Sequence, residues 1–84
     1  MNLVFSRNAW EDYLYWQRTD KRMLKRVNSI VQEIVRSPTV GTGKPEPLKH
    51  ALSGYWSRRI DQEHRIVYRV DDDSIFIAQL RYHY

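Results

Sequence analysis

Six residues of this 84-residue chain carry groups that can do acid–base and phosphate chemistry: Glu46, Lys49, Arg59, Arg65, His83 and Tyr84. One reaction within reach of such groups, metal-free cleavage of an RNA phosphodiester, needs a base to take the 2′-hydroxyl proton and an acid to protonate the departing 5′-oxygen. It also needs cations for the charge on the phosphorane and a target held in line for attack. Glu46 is available as the base, and His83, whose imidazole exchanges a proton around neutrality, as the acid. Arg65, Arg59 and Lys49 can hold phosphate, the two arginines through bidentate forks. Tyr84 can stack on a base or donate a hydrogen bond. Each also has a bland reading: Glu46 as a solvated loop carboxylate, His83 as a surface group on a fraying end, and the cations as structural partners of Asp61 or Glu63.

The surrounding residues say how these groups are held. Glu46 lies between Pro45 and Pro47; Pro47 drives Glu46 towards extended backbone, and Pro45 does the same to Lys44. All three prolines and two of the three glycines fall between Pro38 and Pro47, which reads as one stiff loop. Before it, Leu3–Phe5 reads as a short strand and Ser6 as a helix cap. Trp10, Tyr13, Leu14 and Gln17 follow at helical spacing, with Trp16 near the edge of the stripe. Thr19 or Asp20 caps a longer helix whose apolar positions are Met23, Leu24, Val27, Ile30, Val31, Ile34 and Val35, ended by Pro38.

Beyond the loop the period changes to two. Tyr55–Ile60, Arg65–Val70 and Ile75–Tyr82 read as strands joined by short turns at Asp61–His64 and Asp71–Ser74, hence antiparallel. The expected fold class is α+β, with two N-terminal helices packed on one face of a small, mainly antiparallel sheet. Alternation turns Phe76, Ala78, Leu80 and Tyr82 towards the helices and Gln79, Arg81 and His83 to the open face. Ile66, Tyr68 and Val70 then face inward, leaving Arg65 and Arg69 outside; Trp56 and Ile60 facing inward leave Arg59 outside.

Length allows one domain, 1–84, with one modest core. Fourteen Lys and Arg against ten Asp and Glu give a net charge of +4, which favours an anionic partner without naming it. Four of these cations, Lys21, Arg22, Lys25 and Arg26, crowd the start of the second helix, where positive charge opposes the helix dipole. They read either as a nucleic-acid contact or as a solvated face. The absence of cysteine excludes disulfides and thiolate metal sites, and no apolar run is long enough for a membrane span or signal peptide, so the cytoplasm is the expected compartment. No Gly-rich phosphate loop, metal-ligand spacing or nucleophile–base pair stands out, and no metal or other cofactor is implied.

Several runs match a known pattern: Trp10-Glu-Asp-Tyr-Leu-Tyr-Trp-Gln17, Lys44-Pro-Glu-Pro-Leu-Lys-His50, Leu52-Ser-Gly-Tyr-Trp-Ser-Arg-Arg59, Glu63-His-Arg-Ile-Val-Tyr68 and the terminal Arg81-Tyr82-His83-Tyr84. Together they resemble the YoeB (Txe) family of bacterial toxins in the RelE/ParE superfamily, over nearly the whole chain. The resemblance implies a ribosome-dependent endoribonuclease that cuts mRNA in the A site and inhibits translation. It makes Glu46 the general base, His83 the general acid and Arg65 the residue at the scissile phosphate, and it makes ribosomal RNA the partner of the second helix. It also implies a YefM-like antitoxin, whose dimeric head binds DNA, so that DNA is reached only through that partner. A homodimer is compatible with it. Two other readings stand beside this one: a ParE-like toxin that binds a topoisomerase, and a basic RNA-binding module without catalysis. His50 and His64 read as loop residues near the site or as neutral structural ones.

Overall fold

A computed structural model of the chain describes residues 1–83. Among these, the elements run β1 (Asn2–Phe5), α1 (Arg7–Thr19), α2 (Lys21–Arg36), β2 (Glu46–Pro47), a 3-10 turn at His50–Leu52, β3 (Tyr55–Arg59), β4 (Arg65–Val70) and β5 (Ser74–Gln79). The sheet order is β1-β5-β4-β3-β2; β1 lies parallel to β5 and every other pairing is antiparallel. The expected α+β layout is what forms. No helix among the described residues is long and apolar enough to cross a membrane.

The second helix follows its sequence pattern closely. Asp20 is its cap, its Oδ1 accepting from the amides of Arg22 and Met23 at 3.1 Å each. That carboxylate at the positive end of the helix offsets the unfavourable Lys21 and Arg22. Met23, Val27, Ile30, Val31 and Ile34 are buried against Ile60, Ile66, Tyr68, Ile75, Ile77 and Leu80 from the sheet side. Burying each of these apolar side chains stabilises the fold by about 1.5–3 kcal/mol, against the entropy of ordering it.

Three expectations are corrected. The buried stripe of α1 is Ala9, Asp12 and Trp16, whereas Trp10 is half exposed and Gln17 lies in solvent. The helix is rotated because it faces polar backbone at the end of β5 and so buries a carboxylate, which an apolar pattern cannot show. Second, β5 carries a bulge: Val67 pairs with Gln79 but Tyr68 pairs with Ile77, leaving Ala78 without a partner. The bulge shifts the alternation, so Ile75 and Ile77 face the core. Phe76 instead lies on the open face, 4.7 Å from the Arg69 guanidinium, which also covers the Tyr55 ring at 5.3 Å. Strand geometry ends at Gln79 rather than Tyr82. Third, the proline-rich loop contains a strand, since Glu46 and Pro47 pair with Ser57 and Trp56 at the sheet edge. Proline is tolerated there because an edge strand need not donate on both sides.

Candidate active site

Arg58 determines where the loop before β2 runs. Its side chain is fully buried and pairs with Glu33 Oε1 at 3.0 Å. It also donates to the carbonyls of Ser37, Val40 and Thr42, and its Nε donates to the Tyr68 hydroxyl at 3.2 Å. The Tyr68 hydroxyl in turn donates to the Pro38 carbonyl, and burial pushes its pKa up. The Thr42 amide donates to Glu33; that bond, with the Arg58 charge adding to it, holds the Glu33 carboxyl below its ordinary pKa. Arg58 is therefore a structural ion-pair partner rather than a second phosphate ligand beside Arg59.

The anchored loop then approaches β3 closely. The Arg59 amide donates to the Gly43 carbonyl at 2.8 Å, and a Cβ on Gly43 would meet the Arg59 carbonyl oxygen at 2.6 Å. Only glycine fits that approach. Lys44 has φ +53 rather than the extended backbone expected before Pro45, because contacts on both sides of the loop over-determine its path. The chain emerges at Glu46, opposite Ser57 on the β3 edge.

Here two of the expected residues meet. Arg65 Nη1 lies 3.5 Å from Glu46 Oε1 and 3.4 Å from Ser57 Oγ. The Arg65 side chain is mostly buried while that of Glu46 is half exposed. A carboxylate thus stands open to solvent beside a guanidinium fixed by its strand. Lys49 follows β2 and lines a shallow recess with Glu46, Pro47, Leu48, His50 and Leu52.

The segment after β5 is held by side chains from three directions. On α1, Asp12 Oδ2 accepts from the Leu80 amide at 3.0 Å, and Trp16 Nε1 donates to the Leu80 carbonyl at 2.9 Å. Ser6, the cap of α1, accepts from the Ala9 amide and donates to the carbonyl of the bulged Ala78 at 2.8 Å. The Gln79 amide reaches forward to the carbonyls of Arg81, Tyr82 and His83 at 2.8, 3.2 and 2.7 Å. The Arg65 amide donates to the Tyr82 carbonyl at 3.0 Å, so the residue before His83 is tied to the residue that pairs with Glu46. Arg81 lies between the rings of Tyr15 and Tyr82, 3.4 and 4.5 Å from their centroids. His83 is exposed; Tyr84 lies outside the described residues.

The remaining cations gather elsewhere. Lys21, Arg22, Lys25 and Arg26 are all exposed on α2. Arg22, Lys25 and Arg26 line an open groove of about 790 Å³ whose opposite wall includes Lys44 and Arg59. Arg59 opposes Arg65 on the ladder, yet it shares this groove with the helix rather than the recess of Glu46 and Lys49. The groove is the larger concavity, but it contains neither Glu46 nor Arg65.

The α1 clamp gives a stability prediction. Desolvation raises the Asp12 pKa, and the Leu80 amide bond offsets only part of that. With the folded pKa raised, the contribution of Asp12 is most favourable below its unfolded pKa and is lost as pH rises through the folded one. Asp12→Asn keeps an acceptor for Leu80 without the buried charge, so it is expected to match or exceed wild-type stability at pH 7 and to lose that advantage near pH 3. Asp12→Ala leaves the Leu80 amide unpaired and is expected to cost about 1–3 kcal/mol. Urea unfolding of both variants across that pH range measures this.

Two helices covering one face of this mainly antiparallel sheet, with β1 parallel to β5, define the RelE-type toxin fold. Escherichia coli YafQ has the same architecture, with a TM-score of 0.79 at 15% identity. Residues 5–84 match the YoeB-like toxin of bacterial type II toxin–antitoxin systems. The YoeB toxin of an Escherichia coli strain is 61% identical over the whole length of both chains. A YoeB/ParE toxin from Agrobacterium tumefaciens superposes with a TM-score of 0.97 at 49% identity, covering all of both chains. Staphylococcus aureus YoeB, solved as a dimer and in a heterotetrameric complex with YefM, gives 0.92 at 52% identity over 100% of this chain and 98% of its own. The chain belongs to the YoeB-like toxins of type II toxin–antitoxin systems.

Proposed function

We propose that this toxin is an endoribonuclease that cleaves mRNA in the ribosomal A site and so inhibits translation. The observation that carries the reading is the Glu46–Arg65 pair, with the residue before His83 bonded to the Arg65 backbone. Glu46 takes the proton from the 2′-hydroxyl, and the 2′-oxygen attacks phosphorus. Arg65 balances the added negative charge, assisted by Lys49 and Arg59. The bond to the 5′-oxygen breaks as His83 protonates it, leaving a 2′,3′-cyclic phosphate and a 5′-hydroxyl. Tyr84 stacks on a base of the bound codon. The reaction proposed uses side chains of this single domain, 1–84, and no cofactor.

Lys21, Arg22, Lys25 and Arg26 dock the protein on ribosomal RNA in this reading. Its protein partner is a YefM-like antitoxin, through which DNA is contacted indirectly, and a second copy of the toxin is a further partner, as in the Staphylococcus relative. These are partners of the cytoplasm, with no role for a membrane. The test is a toeprint of 70S ribosomes on a reporter mRNA. A new, codon-dependent 3′ end is expected; a topoisomerase-binding toxin or a non-catalytic RNA binder leaves none. On the same ribosomes, neutralising the four helix cations together should weaken binding and flatten its salt dependence, each lost phosphate contact reducing the logarithmic slope by about 0.7–0.9. An unchanged slope assigns that face to solvent or to the antitoxin.

A further inference from the structure

We propose that His64 is a positioning residue that fixes the turn from which His83 departs, an inference that rests on the catalytic reading of His83. The imidazole is buried beneath the C-terminal segment, its edge on Trp16 with ring centroids 4.8 Å apart at 80°. Its Nδ1 accepts from the Tyr82 amide at 2.8 Å. That bond requires the tautomer with its proton on Nε2, the nitrogen that lies 3.5 Å from Glu63 Oε1.

The ring is itself tightly placed. Asp61 Oδ1 accepts from the amides of Glu63 and His64 at 2.8 and 2.7 Å, and the His64 carbonyl accepts from Ile60 at 2.9 Å. Adjacent residues therefore hold both polar groups of Tyr82: His64 through its side chain takes the N–H, and Arg65 through its backbone donates to the carbonyl. Tyr82 has φ +66, a left-handed conformation that a residue with a side chain keeps only where its surroundings over-determine it. Without the Nδ1 acceptor this turn can relax to ordinary backbone, and the next residue, His83, swings with it. The His64 side chain and the Arg65 backbone thus together couple the position of the proposed acid to that of the proposed phosphate ligand.

The experiment compares His64→Phe, which keeps the ring packing on Trp16 without an acceptor, with His64→Asn, which keeps an acceptor near the Nδ1 position. His64→Gln, with its acceptor one bond too far out, replaces the Phe variant if that one does not fold. His83→Gln runs in parallel. Melting temperature, hydrogen exchange of the Tyr82 amide and ribosome-dependent cleavage are measured on each. For His64→Phe we expect near-normal melting, Tyr82 exchange faster by at least about tenfold, and a saturating cleavage rate reduced by about 10²-fold with half-saturation unchanged, as for a displaced catalytic group. His64→Asn should restore most of both. Normal cleavage and slow exchange in His64→Phe, or equal defects in the Asn and Gln variants, overturn the proposal while a dead His83→Gln leaves the catalytic reading standing. Normal cleavage by His83→Gln overturns both.

Discussion

Replacing Glu46 or His83 with glutamine is expected to slow mRNA cleavage by about 10²–10⁴-fold while leaving the melting temperature near that of the wild type, the range for a positioned general base or acid. Glu46 occupies a two-residue edge strand and its side chain is half exposed, so the core does not depend on its charge. Its pairing with Arg65 at 3.5 Å is partly solvated, and such pairs contribute little to stability. His83 is exposed and its backbone, not its ring, is what Gln79 holds. The double variant should be little worse than the poorer single one, because base and acid act in one step. Single-turnover cleavage on programmed ribosomes, with melting on the same preparation, decides it. A Glu46→Gln or His83→Gln protein that cuts at the wild-type rate removes that residue from the proposed mechanism.

The largest effect on stability is expected at a residue outside the proposed chemistry. Arg58→Met keeps most of the buried stem but withdraws the donors that serve Glu33 and the carbonyls of Ser37, Val40 and Thr42. A loss of about 3 kcal/mol is expected at pH 7, because several acceptors lose their donor at once and each group left unpaired costs about 1–3 kcal/mol, while Glu33 itself keeps part of its side chain in solvent. The pH dependence has a definite sign. Glu33 has a depressed folded pKa, first through the Thr42 amide and then through Arg58, so its stabilisation is present above its ordinary pKa and fades as pH falls through the folded one. The difference between wild type and Arg58→Met should therefore narrow in acid. Because the same loop delivers Glu46, the variant should also cleave slowly at temperatures where it remains folded. Chemical unfolding at two pH values tests the first claim; equal stabilities at pH 7 would refute it.

Much of this architecture is legible in the chain. The apolar stripe of α2, its Asp20 cap, the Ser6 cap and the strands from Tyr55 and Arg65 all follow from periodicity and capping chemistry, because each is decided by residues close in sequence. What escapes such a reading is decided by distant partners. Asp12 is buried because the Leu80 amide, sixty-eight residues away, needs an acceptor. The bulge at Ala78 leaves no compositional mark, so alternation carried through it misassigns Phe76. Arg58 and Arg59 are the same residue type side by side, and only strand parity separates the buried anchor from the exposed cation. His64 carries no local signal of its bond to Tyr82. Glu46 and Arg65 stand out in the sequence by type and flanking residues, whereas their pairing depends on β2 adding to the sheet edge.

The parallel pairing of β1 with β5 sets an order of events during synthesis. β5 lies between β1 and β4, so the first strand made has no neighbour until residues 74–79 arrive, after every other element has left the ribosome's active centre. Until then the inner face of β4 lacks Ile75 and Ile77 beside it, and the α1 groups that clasp Leu80 have nothing to hold. A chain short of that point lacks the strand that joins β1 to the rest of the sheet, and with it the segment that carries His83. The group proposed as the acid therefore takes its place only after the sheet has closed around β5.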